Sequence, residues 1–318
     1  MDWTKKITLK QMRTLRAIVE TGSLAQAANR LGISPPAVTI QLKQVEQDIG
    51  VRIIERNQDG VVNVTNVGNE IITLEGKIQA HLDHCSKTIN SLKEGNKGFV
   101  ELGVVSTAQY FSPWIVSKAK TVLPGVEVDI LVGNRKEIIL ALDTGKIDMA
   151  ITGRPPRNPV VNAEMLGENP HIFIARPDHL LVKKCDNLTN MDSKKIKNLL
   201  KNETFLTREF GSGTRILLDR FLNSIGLDNP FNQKQMSSNE LVKESVMAGL
   251  GIALISASTV QYELREQRLC SIMIPGLPII RHWFLVNKKN AVISSAASQF
   301  KKFVTDNKNT LLPSLKSN

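Results

Sequence analysis

Apolar residues in the first fifty positions recur at helical spacing in three runs. Leu9, Met12, Leu15, Ile18 and Val19 make the first, the periodicity of one buried helix face. The second lies within the stretch SLAQAANRLG: Ser23 is placed to cap a helix with Gln26 three residues on, a capping box, Ala27 and Ala28 are small enough for close crossing, and Gly32 stops the helix. In the third, Ser34 is the N-cap and Pro35 the first helical residue, where a missing N–H costs nothing, while Val38, Leu42, Val45 and Ile49 form the buried stripe. The stretch 51–65 then holds two short apolar runs around Asp59-Gly60, a hairpin turn signal. Three helices and a hairpin are therefore expected.

The face opposite that stripe carries Pro36, Thr39, Ile40 and Lys43 on the N-terminal half of the third helix, the part a recognition helix inserts into the major groove. Thr39 is suited to a base edge or a phosphate and Ile40 to a thymine methyl. The hairpin serves as a wing, with Arg52 and Arg56 directed at phosphates, which position a protein without reading sequence. The candidate DNA-contacting set is Ser23, Gln26, Ser34, Pro35, Pro36, Thr39, Ile40, Lys43, Arg52 and Arg56. The competing reading is a capped amphipathic helix pair with no nucleic-acid role.

Between Val67 and Leu92 the apolar positions Ile71, Leu74, Ile78, Leu82, Cys85, Ile89 and Leu92 approximate a heptad seam. This predicts a long linker helix that pairs with its twin from a second chain, the alternative being packing on its own protomer. His81 and His84 on that helix lack partners for a tetrahedral metal site and are expected at the surface. After Gly98 the texture changes to alternating strands and helices: a strand at 100–105, a helix capped by Ser106-Thr107 and running to about Leu123, a strand at 126–132, a helix at 136–144 and a strand at 147–152. That βαβαβ order implies a parallel sheet with right-handed crossovers, whose ligands gather at the carboxyl ends of the strands. Three loops follow as candidates: Ser106-Thr107, the run Thr152 to Pro156 with Gly153 and Arg154, and Gly211-Ser212-Gly213-Thr214-Arg215 opening a helix to Asn223. The last offers free N–H groups and a positive dipole end to an anion but lacks the lysine and spacing of a P-loop. Arg154, Arg208 and Arg215 can pair bidentately with phosphate or carboxylate or be plain structural arginines. Ser238-Asn239-Glu240 precedes another helix, and 247–256 reads as helix end, glycine turn and buried strand.

Composition sharpens the picture only in part. The 318 residues carry a formal charge of +11, which fits a polyanionic partner. Residues 1–98 hold 13 Lys and Arg against 10 Asp and Glu, a net +3 that leaves +8 for the remainder. The DNA-binding part is thus not the more basic one, which points either to an anionic small molecule in the C-terminal part or to a Lys-rich solvated surface. Cys85, Cys185 and Cys270 lie far apart with no metal or redox spacing. The N-terminus has no signal-peptide core and no apolar run is long enough to span a bilayer, so a cytoplasmic protein is expected.

Gly22, Ser23, Ala27, Ala28, Leu31, Ser34, Pro36, Ala37, Thr39, Glu46, Gly50 and Arg56 together resemble the LysR-type transcriptional regulators. The chain departs from the common family choices at Pro35, at Ile40, at Ile53-Ile54 and at Asn66-Val67-Gly68; the first two bear on the operator rather than on the fold. The stretches VVSTAQYFSP, VGNRKEII, GKIDMAITGRPP, NPHIFIARPDHLL, REFGSGTRILLDRF, SSNELVKESVMAGLGIALIS and GLPIIRHWFLV resemble the branch that regulates the RuBisCO and Calvin cycle operons. The resemblance implies a winged helix-turn-helix domain (1–66), a linker and dimerisation helix (67–97) and an α/β effector domain (98–310). The last has two Rossmann-like subdomains arranged as in periplasmic binding proteins, about 98–169 with 275–310 and about 170–274, the chain crossing near Pro170 and Pro275. It places an inducer against Ser106, Thr107, Gly153, Arg154, Arg208, Ser212, Thr214 and Asn239. It implies phosphorylated Calvin cycle intermediates or NADPH as the molecule sensed, with no other cofactor.

A ligand-responsive transcription factor is the reading these features favour. Its partners would be a partly palindromic double-stranded operator, a small anionic effector, further copies of the chain as homodimer or homotetramer, and RNA polymerase, with no membrane. An enzyme would need a nucleophile, a metal set or paired carboxylates with a reason to be close, and none is legible. A solute-binding protein would need an export signal and no helix-turn-helix. A LysR-type regulator of another pathway is the nearer alternative.

Overall fold

The computed structural model describes residues 3–56, 62–94, 97–183, 192–227 and 232–312, and they fall into two compact units, 1–85 and 86–318. In the first unit a 3₁₀ turn at Trp3–Lys5 precedes α1 (Leu9–Thr21), α2 (Leu24–Leu31) and α3 (Pro35–Ile49). A capping box does occur, but on α1: Thr8 accepts from the Gln11 amide and Gln11 answers at the Thr8 N–H. Ser23 holds the N-cap of α2 in extended conformation without a side-chain cap bond. It is the Ser23 carbonyl that is engaged, by the Thr21 hydroxyl at 3.0 Å and the Ala27 amide at 2.9 Å. The box expected for Ser23 and Gln26 is therefore absent, and Gln26 is simply exposed. Ser34 caps α3 through the Ala37 amide with Pro35 and Pro36 in its first turn, and Gly22, Gly32 and Gly50 end the three helices in the left-handed conformation, which glycine enters without a Cβ penalty.

Leu15, Ile18, Ala27, Ala28, Val38, Val45 and Ile53 are buried in one cluster, so the helical periodicity of the sequence is the core of this unit. The wing consists of β1 (Ile54–Arg56) and β2 (Val62–Val64), antiparallel with Ile54 opposite Val64. Its turn at Asp59-Gly60 and the side chain of Arg56 lie outside the described residues. The Glu46 carboxylate accepts the Ile53 and Ile54 amides at 2.9 and 3.3 Å, tying α3 to the wing by charge-assisted bonds. The linker α4 (Asn66–Lys93) is a single helix of 28 residues, about 42 Å long at 1.5 Å per residue. Glu75 on it is buried against Arg16 of α1 at 2.5 Å. Of the expected seam, Ile71 enters the core of the first unit, whereas Leu74, Leu82, Ile89 and Leu92 stand exposed.

The second unit is built on β3 (Gly98–Val105), α5 (Ser112–Val122), β4 (Val126–Gly133), α6 (Arg135–Thr144) and β5 (Met149–Thr152), with β3 parallel to both β4 and β5. The expected parallel βαβαβ order is present. One boundary differs: residues 106–111 form turns and α5 starts at Ser112 with Phe111 at its N-cap, so Ser106 and Thr107 do not cap it. Pro113 in the first turn suits that start, and the displaced loop leaves both hydroxyls free of the helix.

The chain continues through β6 (Val161–Ala175), α7 (Leu180–Lys183), α8 (Ser193–Leu200), β7 (Phe205–Arg208), α9 (Gly213–Ser224), β8 (Gln233–Met236), α10 (Asn239–Met247), β9 (Ala253–Ser256), α11 (Gln261–Arg265), β10 (Cys270–Ile272), β11 (Ile279–Lys288), α12 (Ser295–Asp306) and α13 (Lys308–Leu311). One mixed sheet runs β10-β6-β11-β5-β3-β4, with β9 also paired to β6, while β7 and β8 pair in parallel and meet the rest at Phe205–Ile252. The long antiparallel pair β6 and β11 is shared by two hydrophobic centres. One surrounds Leu102, Trp283 and Phe300. The other surrounds Phe173 and Ala175 on one face of the end of β6, and a third, smaller cluster takes Ile174 on the opposite face, so that strand end is covered on both sides and reads as a continuous apolar run. Among the described residues no helix is long and apolar enough to cross a membrane.

Gly68 sits where α4 passes the wing, and a Cβ there would lie 2.4 Å from the Ile53 carbonyl oxygen and 2.7 Å from Val64 Cγ1. Backbone cannot yield as a flexible side chain does, so Gly68→Ala is expected to destabilise the first unit by about 2 kcal/mol through overpacking, read as a lower urea midpoint of its unfolding transition.

Candidate functional site

Two surfaces deserve a chemical reading, one on each unit. On the first, Pro35, Pro36 and Lys43 are exposed and Ile40 is 67% exposed, an apolar side chain presented to solvent on the face that the core of the unit does not use. Thr39 is half-buried and its hydroxyl donates to the Pro35 carbonyl at 3.1 Å, which keeps its lone pairs available to a donor. Ser34 is committed to its cap. Arg52 is exposed at the entry to β1, its carbonyl accepting from the Thr65 hydroxyl at 3.0 Å. Gln26 lies on α2 and Ser23 at its N-cap, rather than on this face.

On the second unit a cavity of about 130 Å³ opens at the carboxyl ends of β3 and β5. Ser106 and Thr107 follow β3, Gly153 and Arg154 follow β5, and Ser212 and Thr214 come from the start of α9; all six line it. The structure adds Arg135 from α6, Asn169 and His171 from β6, Arg281 from β11 and Arg220 from the second turn of α9. Four guanidinium groups therefore face one small space with no carboxylate among its lining residues. Ser212 holds the N-cap of α9 without a side-chain cap bond, so amides of that first turn remain free for an anion.

The electrostatics agree with the geometry. Arg135 is held below the usual arginine range, first by burial and then by the like charges of Arg154 and Arg281; it donates to the carbonyls of Arg154 at 2.5 Å and Pro155 at 3.4 Å. Crowded cations of this kind raise the energy of the empty site and lower it on anion binding. His171 is 6% exposed and its pKa is pushed down to about 4, chiefly by burial with Arg281 adding to the effect, against a hydrogen bond to the Asn169 carbonyl. Nδ1 makes that bond at 3.1 Å. The Asn169 Oδ1 in turn accepts from Ser256 at 2.6 Å.

Arg208 and Asn239 do not join the arginine cavity. Both are nearly fully buried, at 5% and 1% exposed, and they brace the two halves of the unit. Arg208 Nη1 donates to Ser106 Oγ at 3.1 Å and to Asn239 Oδ1, its other nitrogens hold Glu209 at 2.7 and 2.9 Å, and Asn239 Nδ2 donates to the Ser106 carbonyl at 3.0 Å. Beside this brace they line a separate, wider cleft of about 510 Å³ with Gln109, Asn134 and Gln235. Arg215 turns away altogether: it donates to Thr207, the Arg208 carbonyl and Gln233, and its guanidinium lies 4.9 Å from the Phe210 ring centre. A second bridge joins Tyr110 to Glu240 at 2.5 Å, with Lys243 held by Glu240 and Glu263.

Arg220 had a local signal, seven residues and two turns beyond Gly213 on the face that Ile216 and Leu217 share. Arg135 had one in its place just after a strand end. Asn169, His171 and Arg281 had none, because a strand register more than a hundred residues apart places Asn169 opposite Arg281.

Comparison with known proteins follows the same two-unit division. Residues 9–69 match the family described as bacterial regulatory helix-turn-helix protein, lysR family, and residues 93–309 match the LysR substrate binding domain. The HTH-type transcriptional regulator CbbR of Xanthobacter flavus is 39% identical over 310 residues, covering 97% of this chain and 90% of that protein. The RuBisCO operon transcriptional regulator of Allochromatium vinosum is 34% identical, covering 94% and 95%. Among solved structures, the CcmR regulatory domain of Synechocystis PCC6803 in complex with 2-PG is 28% identical with a TM-score of 0.60, covering 67% of this chain and 98% of that one.

Burial of His171 has a consequence for stability. Its folded pKa of about 4 lies below the ordinary histidine value, so the unfolded chain binds the proton first and stability falls as pH drops from about 6.5 toward 4. The expected contribution is a loss of about 2 kcal/mol between pH 7.5 and pH 5, measured as the urea midpoint of the second unit and absent in His171→Gln.

Proposed function

The chain belongs to the LysR family of bacterial transcriptional regulators, and we propose that it controls RuBisCO and other Calvin cycle genes in response to a small phosphorylated metabolite. The arginine cavity carries this reading: Arg135, Arg154, Arg220 and Arg281 line one space without a carboxylate among its lining residues, a crowding of like charges that an anion relieves. Support for the target genes comes from the relatives, one of them a RuBisCO operon regulator. Support for the ligand class comes from the similar CcmR domain in complex with 2-PG. A cavity of about 130 Å³ suits a ligand smaller than the drug-sized molecules that occupy roughly 300–1,000 Å³, which favours a short phosphorylated acid or sugar over NADPH.

The effector acts by bridging. Ser106, Thr107 and Arg154 belong to one half of the effector unit and Ser212, Thr214 and Arg220 to the other, so an anion held by both favours the closed arrangement to the extent that it binds that arrangement more tightly. Output passes through Pro36, Thr39, Ile40 and Lys43 in the major groove, with Arg52 on the phosphates. The exposed residues Leu74, Leu82, Ile89 and Leu92 supply the seam by which two copies pair, and a pair of dimers would set the spacing of recognition helices on a partly palindromic operator in the cytoplasm. RNA polymerase access then follows from how the assembled regulator bends that DNA.

Fluorescence anisotropy on the DNA upstream of the chain's own gene tests the output end. Lys43→Ala and Arg52→Ala are each expected to flatten the slope of log affinity against log salt by about 0.9; equal affinity for unrelated DNA at every salt concentration would sink the assignment. At the input end, Arg154→Gln and Arg281→Gln are each expected to raise at least tenfold the concentration of phosphorylated metabolite that half-saturates the DNA response.

A further inference from the structure

The arginine cavity contains one group that does not fit a plain anion trap. Its guanidinium groups and free helix amides donate, and its hydroxyls at Ser106, Thr107, Ser212 and Thr214 can rotate to donate as well. His171 is the exception. Its Nδ1 lies 3.1 Å from the Asn169 carbonyl oxygen, and a carbonyl only accepts, so the proton sits on Nδ1. Arg135, Arg154, Arg220 and Arg281 are the charged groups around the cavity, all of one sign. Burial, with the charge of Arg281 adding to it, keeps a second proton off the ring, so Nε2 carries a lone pair. His171 is 6% exposed and is one of the residues that line the cavity.

We propose that His171 is a specificity-determining residue of this cavity, its Nε2 accepting a proton borne by the ligand, so that the site takes protonated phosphate and rejects sulfate. The inference rests on the anion-binding reading of the cavity and deepens it. Phosphate and sulfate are nearly the same size and both satisfy arginine donors. They differ in that inorganic phosphate keeps at least one proton throughout the neutral range and sulfate keeps none. A phosphate O–H meets the Nε2 lone pair in a hydrogen bond; a sulfate oxygen sets lone pair against lone pair and leaves a buried acceptor unpaired, the costly side of the hydrogen-bond asymmetry. No proton need be transferred, since the hydrogen remains shared between oxygen and nitrogen.

A phosphomonoester sharpens the consequence. Its second pKa is about 6, so at pH 7.5 it is mostly the dianion in solution and must acquire a proton to meet Nε2. Binding is then coupled to proton uptake with the phosphomonoester but not with sulfate, whereas an anion that merely protonated the imidazole would take up a proton in either case.

Isothermal titration of the full-length chain at pH 7.5 and matched ionic strength decides the matter, with inorganic phosphate, inorganic sulfate and methyl phosphate as probes. Phosphate is expected to bind at least tenfold more tightly than sulfate, and methyl phosphate to bind with uptake of about one proton per site, read from buffers of different ionisation enthalpy. His171→Gln, whose amide can turn a donor toward the anion, is expected to narrow the phosphate-to-sulfate ratio below threefold, chiefly by gaining sulfate affinity. Equal affinities in the unmutated chain, absence of proton uptake, or an unchanged ratio in His171→Gln would each overturn the role of His171 while leaving the anion cavity standing. Failure of all three probes to bind would overturn the anion cavity as well. The measurements on the unmutated chain remain decisive if the variant does not fold.

Discussion

The antiparallel pairing of β6 with β11 is the constraint on which the effector unit depends. These strands pair from Ile279–His171 to Lys288–Val161 and belong to the same sheet as the parallel strands β3, β4 and β5. Their ends serve two hydrophobic centres, one around Trp283 and one around Phe173. Because side chains directly opposite on paired strands share a face, the same register that joins the halves also sets Asn169 beside Arg281 and His171 two residues along. The floor of the cavity is thus a by-product of the joint itself, and any ligand that rests on it reports on the relation of the two halves.

Cations are gathered here at an energetic cost that the rest of the unit absorbs. Arg135 is anchored on backbone carbonyls, and Arg208 is neutralised by Glu209 and fastened to Ser106 and Asn239. The two arginines illustrate a distinction that charge alone hides. A guanidinium held by a carboxylate braces the structure, whereas one set beside other cations, as Arg135 is beside Arg154 and Arg281, retains its demand for an anion. Ser106 lies at the junction of the two, lining the cavity while bonded to the brace, so cavity wall and brace share one side chain.

The DNA-facing unit follows a different economy. Its core is small, its helices end at left-handed glycines, and Glu46 holds the wing against α3 through two backbone amides. Ile40 remains exposed because every inward position of α3 is already filled by Val38, Leu42 and Val45. This leaves an apolar side chain on the exposed face of α3, beside the charge of Lys43.

Helical periodicity, glycine stops, proline first turns and the alternation of strands and helices made the three-helix core, the wing strands, the linker and the parallel sheet legible from the sequence, since each is governed by backbone preferences and by neighbours within a few residues. The loops at Ser106-Thr107, Gly153-Arg154 and Ser212 to Thr214 were legible too, because strand ends and helix starts have local signatures. The side-chain bond of Ser23 and the start of α5 were not, as such details hinge on a few tenths of an ångström in loop geometry. Asn169, His171 and Arg281 were beyond reach, as was the division of labour between Arg208 and Arg281, although all four are polar residues near apolar strands. Only the tertiary structure decided that Arg281 lines the cavity and that Arg208 is spent on a brace, because the first follows from pairing with Asn169 more than a hundred positions away and the second from bonds to Ser106 and Asn239 on distant segments.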